Sequence, residues 1–325
     1  MIALNVLQKK FWQQKTRLDK ALKSLLPQIS RNKIQSLIEE GKILVDGKKI
    51  QDPSFKVRPG VSLTIFLPEE TKQQEGKYFI TIQPLILYED DYLLAINKPP
   101  GLVVHPAAGH KEDTLVDYLL KEKPEIAEAV YDKKNPVSLL RPGLIHRLDK
   151  DTSGVIIIAK NQQVLKEMAK KVEKRQIQKH YLSLLLGELK EPILLNKPLA
   201  REKTNRFKMA INKNGKEAIT YFFPEKIFYF KKTPLTLANI QPYTGRTHQI
   251  RAHALFLNLP VLGDKLYSTS LSQKISEELG AKRQLLHAQS LIFKHPVTKK
   301  ELVITAPLPK DFSDIMKKID KTENK

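Results

Sequence analysis

Two aspartates, Asp149 and Asp151, stand with His146, Arg147 and Lys150 in the stretch 146-HRLDKDTSGVIIIAK-160, which runs straight into an apolar segment, residues 155–159. A surface turn accounts for polar residues but not for five ionisable side chains at the mouth of a core strand. A carboxylate placed there, on a rigid element, can do chemistry. Several chemistries fail on spacing. The run 149-DKDTSG-154 imitates a calcium loop, yet its twelfth position is Lys160 rather than the bidentate Glu such a loop requires, and a Pro142-Gly143 turn replaces the entering helix. A retaining glycosidase needs two carboxylates about 5 Å apart. Asp149 and Asp151 meet that only if both point the same way along an extended stretch, whereas Asp151 can equally cap the turn through Thr152 and Ser153. For Asp149 alone, a turn or ion-pair carboxylate is the ordinary reading.

Other chemistry-bearing residues recur downstream. In 179-KHYLSLLLG-187 an extended strand puts His180, Leu182, Leu184 and Leu186 on one face and Lys179, Tyr181, Ser183 and Leu185 on the other. The first face reads as core, so Tyr181 is expected on the more polar side. The segment 243-YTGRTHQIRAH-253 joins a Thr-Gly turn to Arg246, with Thr247 able to open a helix, a combination suited to an anion or a carboxylate partner. His248 and His253 lack the HExxH spacing of a zinc site, so no metal is expected. The run 283-RQLLHAQSLIFKHP-296 is, on pattern, a basic segment beside a core strand.

The elements that must hold these residues fall into two regions. Leu18, Leu22 and Leu25-Leu26 recur at helical spacing. Ser30 can cap a second helix over 31–40, whose Ile34, Leu37 and Ile38 form one stripe and which Gly41 ends. Residues 43–45, an Asp46-Gly47 turn and residues 48–50 read as a hairpin, and 61–67 as a last strand. A polar run, 69-EETKQQEGK-77, reads as linker. From residue 85 onward strands are expected near 93–97, 155–159, 180–187, 218–223, 235–240 and 301–306, with helices near 113–121, 162–175 and 247–257. That is an α+β domain with a large mixed, mostly antiparallel sheet.

The net charge of +21 is spread over both regions: 13 Lys/Arg against 7 Asp/Glu in residues 1–70, and 43 against 28 in the remainder. Such basicity points to a polyanion, because each neutralised phosphate releases counterions. Arg31, Lys33, Lys42, Lys48 and Lys49, around the second helix and hairpin, are the candidate phosphate contacts. The absence of cysteine excludes disulfides, thiolate nucleophiles and cysteine-based zinc sites. No apolar run approaches membrane-spanning length, and MIALNVLQKKFWQQK lacks a secretory core, so a cytoplasmic location is expected.

Residues 15–69, in RLDKALKSLLPQISRNKIQSLIEEGKILVDGKKI, resemble the S4 RNA-binding domain; residues 70–84 then serve as linker and 85–325 as the catalytic domain. HRLDKDTSGVIIIAK, with INKPPGLVVHPAAG, KHYLSLLLGEL, TGRTHQIRAHALFLNLPVLGD and RQLLHAQSLIFKHP in that order, resembles the RluA-type pseudouridine synthase family, particularly its large-subunit ribosomal RNA enzymes. Asn258-Leu259-Pro260 departs from the Gly-His-Pro common in that family. The resemblance implies isomerisation of uridine to pseudouridine in RNA, most directly 23S rRNA or the pre-ribosomal large subunit, by a monomer with no cofactor. It makes Asp149 the catalytic aspartate, Arg246 its cationic partner, Tyr181 the active-site tyrosine, and Arg147 the arginine that fills the space a flipped base leaves. It leaves His146 structural. A tRNA substrate, or a non-catalytic assembly factor, are the rival readings.

Overall fold

The computed structural model describes residues 4–11, 14–26, 31–68, 84–106, 113–205 and 207–323. The expected cap Ser30, the side chain of Lys33, nearly all of the linker and the end of the VVHPAAG motif lie outside them. The chain divides into two compact units, Met1–Phe79 and Ile80–Lys325.

In the first unit, β1 (Leu4–Lys10), β2 (Thr16–Arg17), α1 (Leu18–Leu25), α2 (Arg31–Glu39), β3 (Ile43–Val45), β4 (Lys48–Lys49), β5 (Lys56–Val57) and β6 (Ser62–Pro68) follow one another. A four-stranded antiparallel sheet runs β1-β6-β3-β4. The helical stripes close over it: Leu18, Leu22, Leu26, Ile34, Leu37 and Ile38 pack on Ile43, Val57, Leu63 and Ile65. Strand β1 was not expected, because its pairing from Leu4–Pro68 to Lys10–Ser62 links residues remote in sequence. Asp19 of α1 is fully buried and accepts hydrogen bonds from Arg17 (3.1 Å), Arg31 (2.8 Å) and Gln35 (3.1 Å). Burial works to raise its pKa, but these donors outweigh it and hold the carboxyl at about 2. Arg31, expected at a phosphate, therefore uses its guanidinium to join α2 to α1.

The second unit contains β7 (Leu85–Glu89), β8 (Leu93–Lys98), α3 (Leu115–Glu122), α4 (Pro136–Leu139), β9 (Ser153–Ala159), α5 (Gln162–Glu173), β10 (Gln178–Leu186), β11 (Ile193–Asn196), β12 (Leu199–Arg201), β13 (Met209–Ile211), β14 (Ile219–Phe230), β15 (Thr233–Pro242), α6 (Gln249–Phe256), α7 (Ser270–Leu279), β16 (Leu286–Lys294), β17 (Glu301–Thr305) and α8 (Lys310–Glu323). Nine of these strands form one sheet, β11-β14-β15-β10-β16-β9-β8-β7, with β17 also on β16. Every ladder is antiparallel except β16 with β9. The sheet is covered on both faces. Tyr181, Leu185, Ile156, Ile158, Phe222 and Ile240 share a core with Leu115 and Leu119 of α3 and Ile250 and Ala254 of α6. On the other face Val155, Ile157 and Ala159 meet Val164, Leu165 and Met168 of α5. Leu182, Leu184 and Leu186 meet Phe312, Ile315 and Ile319 of α8 there. This corrects the expectation for Tyr181: both faces of β10 are core, and Tyr181 reaches a polar site only where the core of its face ends.

All seven residues of β9 are buried, which explains its unbroken apolar run; each buried isoleucine contributes about 1.5–3 kcal/mol. The strand begins at the parallel junction, where His287 pairs with Ser153 and Ala288 with Gly154. Gly154 has φ +117°, and a Cβ there would stand 2.1 Å from the Ala288 carbonyl oxygen. Only glycine permits the close parallel approach. Gly154→Ala is expected to cost at least about 3 kcal/mol in denaturant unfolding; a loss under about 1 kcal/mol would mean the junction adapts freely.

Two histidines brace the same strand as neutral rings. Fully buried His287 meets the Ser153 hydroxyl at 2.9 Å, and His146 Nε2 accepts the Ile157 N–H at 3.1 Å. Burial lowers their pKa values to about 4 and about 3, from the ordinary 6.5. Below pH 6.5 the unfolded chain binds protons that the native rings refuse, so stability falls with pH, by up to about 1.4 kcal/mol per unit for each ring. The melting temperature is expected to drop steadily between pH 6.5 and 4.5, and a flat profile there would contradict the neutral-ring bracing.

Candidate active site

The loop carrying Asp149 has no regular structure, yet its three successive carbonyls are all occupied. Thr152 N–H donates to the Asp149 carbonyl at 3.1 Å. The Lys150 carbonyl accepts from Gly101 N–H at 2.9 Å and from Lys98 Nζ at 2.8 Å. The Asp151 carbonyl accepts from Arg283 Nη1 at 3.0 Å. Lys98 is fully buried at the end of β8 and gives its remaining N–H bonds to the Pro99 and Leu102 carbonyls. Burial brings its pKa down to about 7. Arg283 is anchored in turn by a two-pronged pair with Asp311 of α8, at 2.6 and 2.9 Å. Two buried basic side chains, Lys98 and Arg283, thus suspend the loop by its backbone, leaving the Asp149 side chain to the site.

That side chain meets Arg251, not Arg246. Arg251 Nη1 donates to Asp149 Oδ2 at 2.9 Å, while Nε and Nη2 grip the Asp264 oxygens at 2.6 and 2.9 Å. Asp264 is held by the backbone N–H groups of Leu266 and Tyr267, both at 2.9 Å. Burial opposes charge on Arg251, but its two carboxylates more than compensate and raise its pKa above the ordinary range. On Asp264 burial acts upward, and Arg251 with the two backbone donors brings the pKa below the usual carboxylate value. Such a pair is stable only because every partner is hydrogen-bonded.

The expected partner Arg246 is exposed, just after the Thr-Gly turn, and donates from Nε to the Glu217 carbonyl at 2.9 Å. Helix α6 begins at Gln249, two residues later than Thr247, with His248 as its N-cap. The start of the helix therefore leaves Arg246 outside and carries Arg251 inward. Both line the same cleft.

This cleft, of about 210 Å³, is lined by Asp149, Tyr181, Arg246, His248 and Arg251, with Arg147 at its exposed rim. Asp151 is not among its walls, so no carboxylate pair faces a substrate there. Burial and the nearby Asp149 charge both push the Tyr181 phenol above its ordinary pKa, keeping it protonated. Arg147 donates to the Thr247 hydroxyl. His146 belongs to the strand support described above. His248 Nε2 stands 3.9 Å from Asp149 Oδ2. Burial lowers its pKa and Arg251 adds to this, against the pull of Asp149, so the ring is neutral. In the first unit Lys48 and Lys49 are exposed on β4 and Lys42 is half-buried before β3. Among the described residues, no group of three His, Asp or Glu is arranged to hold a metal ion.

Arg251, Asp264, Lys98, Arg283 and His248 were not singled out from sequence as site residues. One signal was available for Arg251: it is the lone permanent charge in 249-QIRAHALF-256, otherwise a helix suited to burial, and a buried arginine must have carboxylate partners. Nothing local marks Asp264 as its partner, or Lys98 and Arg283 as the groups that hold the loop carbonyls.

Residues 92–255 match the RNA pseudouridylate synthase family, and residues 16–63 match the S4 domain. The chain is 34% identical to "Ribosomal large subunit pseudouridine synthase D" of Xanthomonas campestris, over 92% of this chain and 88% of that protein. The protein of the same name in Nitrosomonas europaea is 35% identical, over 93% and 84%. An "Uncharacterized RNA pseudouridine synthase" of Aquifex aeolicus is 34% identical, over 95% and 96%. Among solved structures, human RNA Pseudouridylate Synthase Domain Containing 4 aligns with a TM-score of 0.55 and 25% identity, over 73% of this chain and 93% of that one. With a sheet, a cleft and a sequence of this kind, the chain belongs to the RNA pseudouridylate synthase family and carries an S4 domain ahead of the synthase domain.

Proposed function

We propose that this protein isomerises uridines of large-subunit (23S) ribosomal RNA to pseudouridine, with Asp149 as the catalytic carboxylate. The observation that carries the proposal is the Asp149–Arg251 pair at the wall of a cleft shared with Tyr181, in a chain of this family. The choice of RNA is supported by the relatives named for the large ribosomal subunit and by the S4 domain. Residues 15–69 are the RNA-binding module, 70–84 the linker and 85–325 the catalytic domain. The enzyme works as a cytoplasmic monomer without a cofactor. No helix among the described residues is long and apolar enough to cross a membrane.

In the reaction the N1–C1′ bond breaks, the uracil turns while bound, and a C5–C1′ bond forms; the proton lost from C5 is balanced by one gained at N1. Asp149 acts at C1′ as nucleophile or at C2′ as base. Either role needs a carboxylate in a partly dry cleft, where Arg251 supplies the counter-charge and Asp264 holds Arg251 in place. Tyr181, protonated, packs against the uracil. The target must first leave its stack, at a cost of a few kcal/mol, and Arg147 at the rim fills the space it vacates. Arg246, outside the carboxylate pair, is a candidate contact for the RNA backbone.

The test is pseudouridine formation in unmodified ribosomal and transfer RNA. Asp149→Asn is expected to lose at least about a thousandfold in rate while RNA affinity stays within about threefold. Arg251→Met should be nearly as inactive and also less stable by about 3–5 kcal/mol, because Asp264 is left buried and unpaired. Arg246→Ala should stay within about tenfold of wild type. Product from Asp149→Asn would end the assignment, and product in transfer RNA alone would move the substrate.

The exposed lysines of β4 give a separate test. The Lys48→Glu/Lys49→Glu double variant is expected to bind ribosomal RNA more weakly, with a salt dependence shallower by about one unit for each phosphate no longer neutralised. An unchanged slope would show that these lysines do not meet the RNA.

A further inference from the structure

His248 has one nitrogen committed and one free. Its Nδ1 lies 3.1 Å from the Tyr267 hydroxyl. That hydroxyl already accepts the Met209 N–H at 2.6 Å, and among the described residues Nδ1 is the acceptor within reach of its own proton, so that proton is assigned to Nδ1. The neutral ring therefore carries its proton on Nε2, the nitrogen that lines the cleft. The arrangement is costly: His248 is a non-glycine residue at φ +53°, in the left-handed region, and its ring is locked edge-on to Tyr267 at a centroid distance of 5.6 Å. Nε2 stands 3.9 Å from Asp149 Oδ2, too far for a direct hydrogen bond but right for one atom to touch both.

The chemistry of the two groups selects that atom. It must accept from an imidazole N–H and donate to a carboxylate at once, as a water or a hydroxyl does, and once a substrate fills the cleft that atom is a hydroxyl. Asp149 works at C1′ or C2′, so the hydroxyl belongs to the ribose of the target. Within an RNA chain O3′ and O5′ are esterified, and the 2′-hydroxyl is the one that remains. We propose that His248 is a further catalytic residue, donating from Nε2 to the 2′-oxygen of the target uridine while that hydroxyl donates to Asp149. The pair thereby aligns the sugar carbons with the carboxylate and makes the reaction depend on ribose. The inference rests on the assignment of Asp149 above.

The experiment is a thermodynamic cycle on single-turnover rates. The substrate is an RNA oligonucleotide spanning a uridine that wild type modifies, made with ribose or with 2′-deoxyribose at that position. His248→Ala is expected to slow the ribose substrate about 10- to 100-fold with affinity within about threefold. On the deoxy substrate the same substitution should change the rate by less than about threefold, because the partner is already gone. His248→Gln, whose amide can donate from a similar place, should recover part of the rate. Equal slowing of both substrates by His248→Ala, or equal loss in the Ala and Gln variants, would overturn the proposal. If wild type is active and Asp149→Asn is not, such a result removes only the role of His248. If wild type modifies no RNA, the underlying assignment falls and this proposal with it.

Discussion

The guanidinium of Arg251 lies between two carboxylates, and the site is organised around that fact. One carboxylate, Asp264, is fully enclosed and takes two of the three hydrogen bonds; the other, Asp149, takes the third and faces the cleft. A cation so buried is stable only if paired, and the pairing with Asp264 determines its direction. Arg251 therefore cannot turn away from Asp149 without leaving a buried charge alone. The Tyr267 ring beneath the guanidinium, 5.0 Å from it, ties the same group to His248. Positioning of the carboxylate is thus enforced by the electrostatic cost of every alternative.

The backbone beneath Asp149 obeys the same logic. A loop that must present a side chain into a cleft cannot satisfy its own carbonyls by forming a helix or strand. Here Lys98 and Arg283 satisfy them instead, one from the end of β8 and one from the approach to β16. Beyond the loop, β9 is packed on both faces, and Gly154 lets it approach β16 closely enough for the parallel ladder. Loop and strand form a rigid mount that fixes where the Asp149 side chain can point.

Much of this could be read from the residues. The helix stripes of the first unit, the hairpin at Asp46-Gly47, the α+β character of the second and the strand behind the HRLD stretch all follow from local periodicity, which a short segment expresses by itself. Asp149 and Tyr181 were identified through their motifs, and the structure brings them to one cleft. Arg246 and Arg251 sit five residues apart in one motif, and choosing between them needed the first turn of α6. That turn begins after a left-handed His248, a conformation no local pattern announces. Arg31 offers the same lesson. Its charge was evident, but its partner Asp19 lies across a helix pair.

The ingredients of the protein's chemistry are legible in its residues alone: a strongly basic chain without cysteine, an S4-like module, and an aspartate at the mouth of an apolar strand. These depend on residue type and near-neighbour spacing. Which cation meets that aspartate, and which buried lysine and arginine hold its loop, depend on the closed fold. Each is a contact between residues distant in the chain, and its energy comes from burial, which no local stretch of sequence possesses until the sheet closes around it.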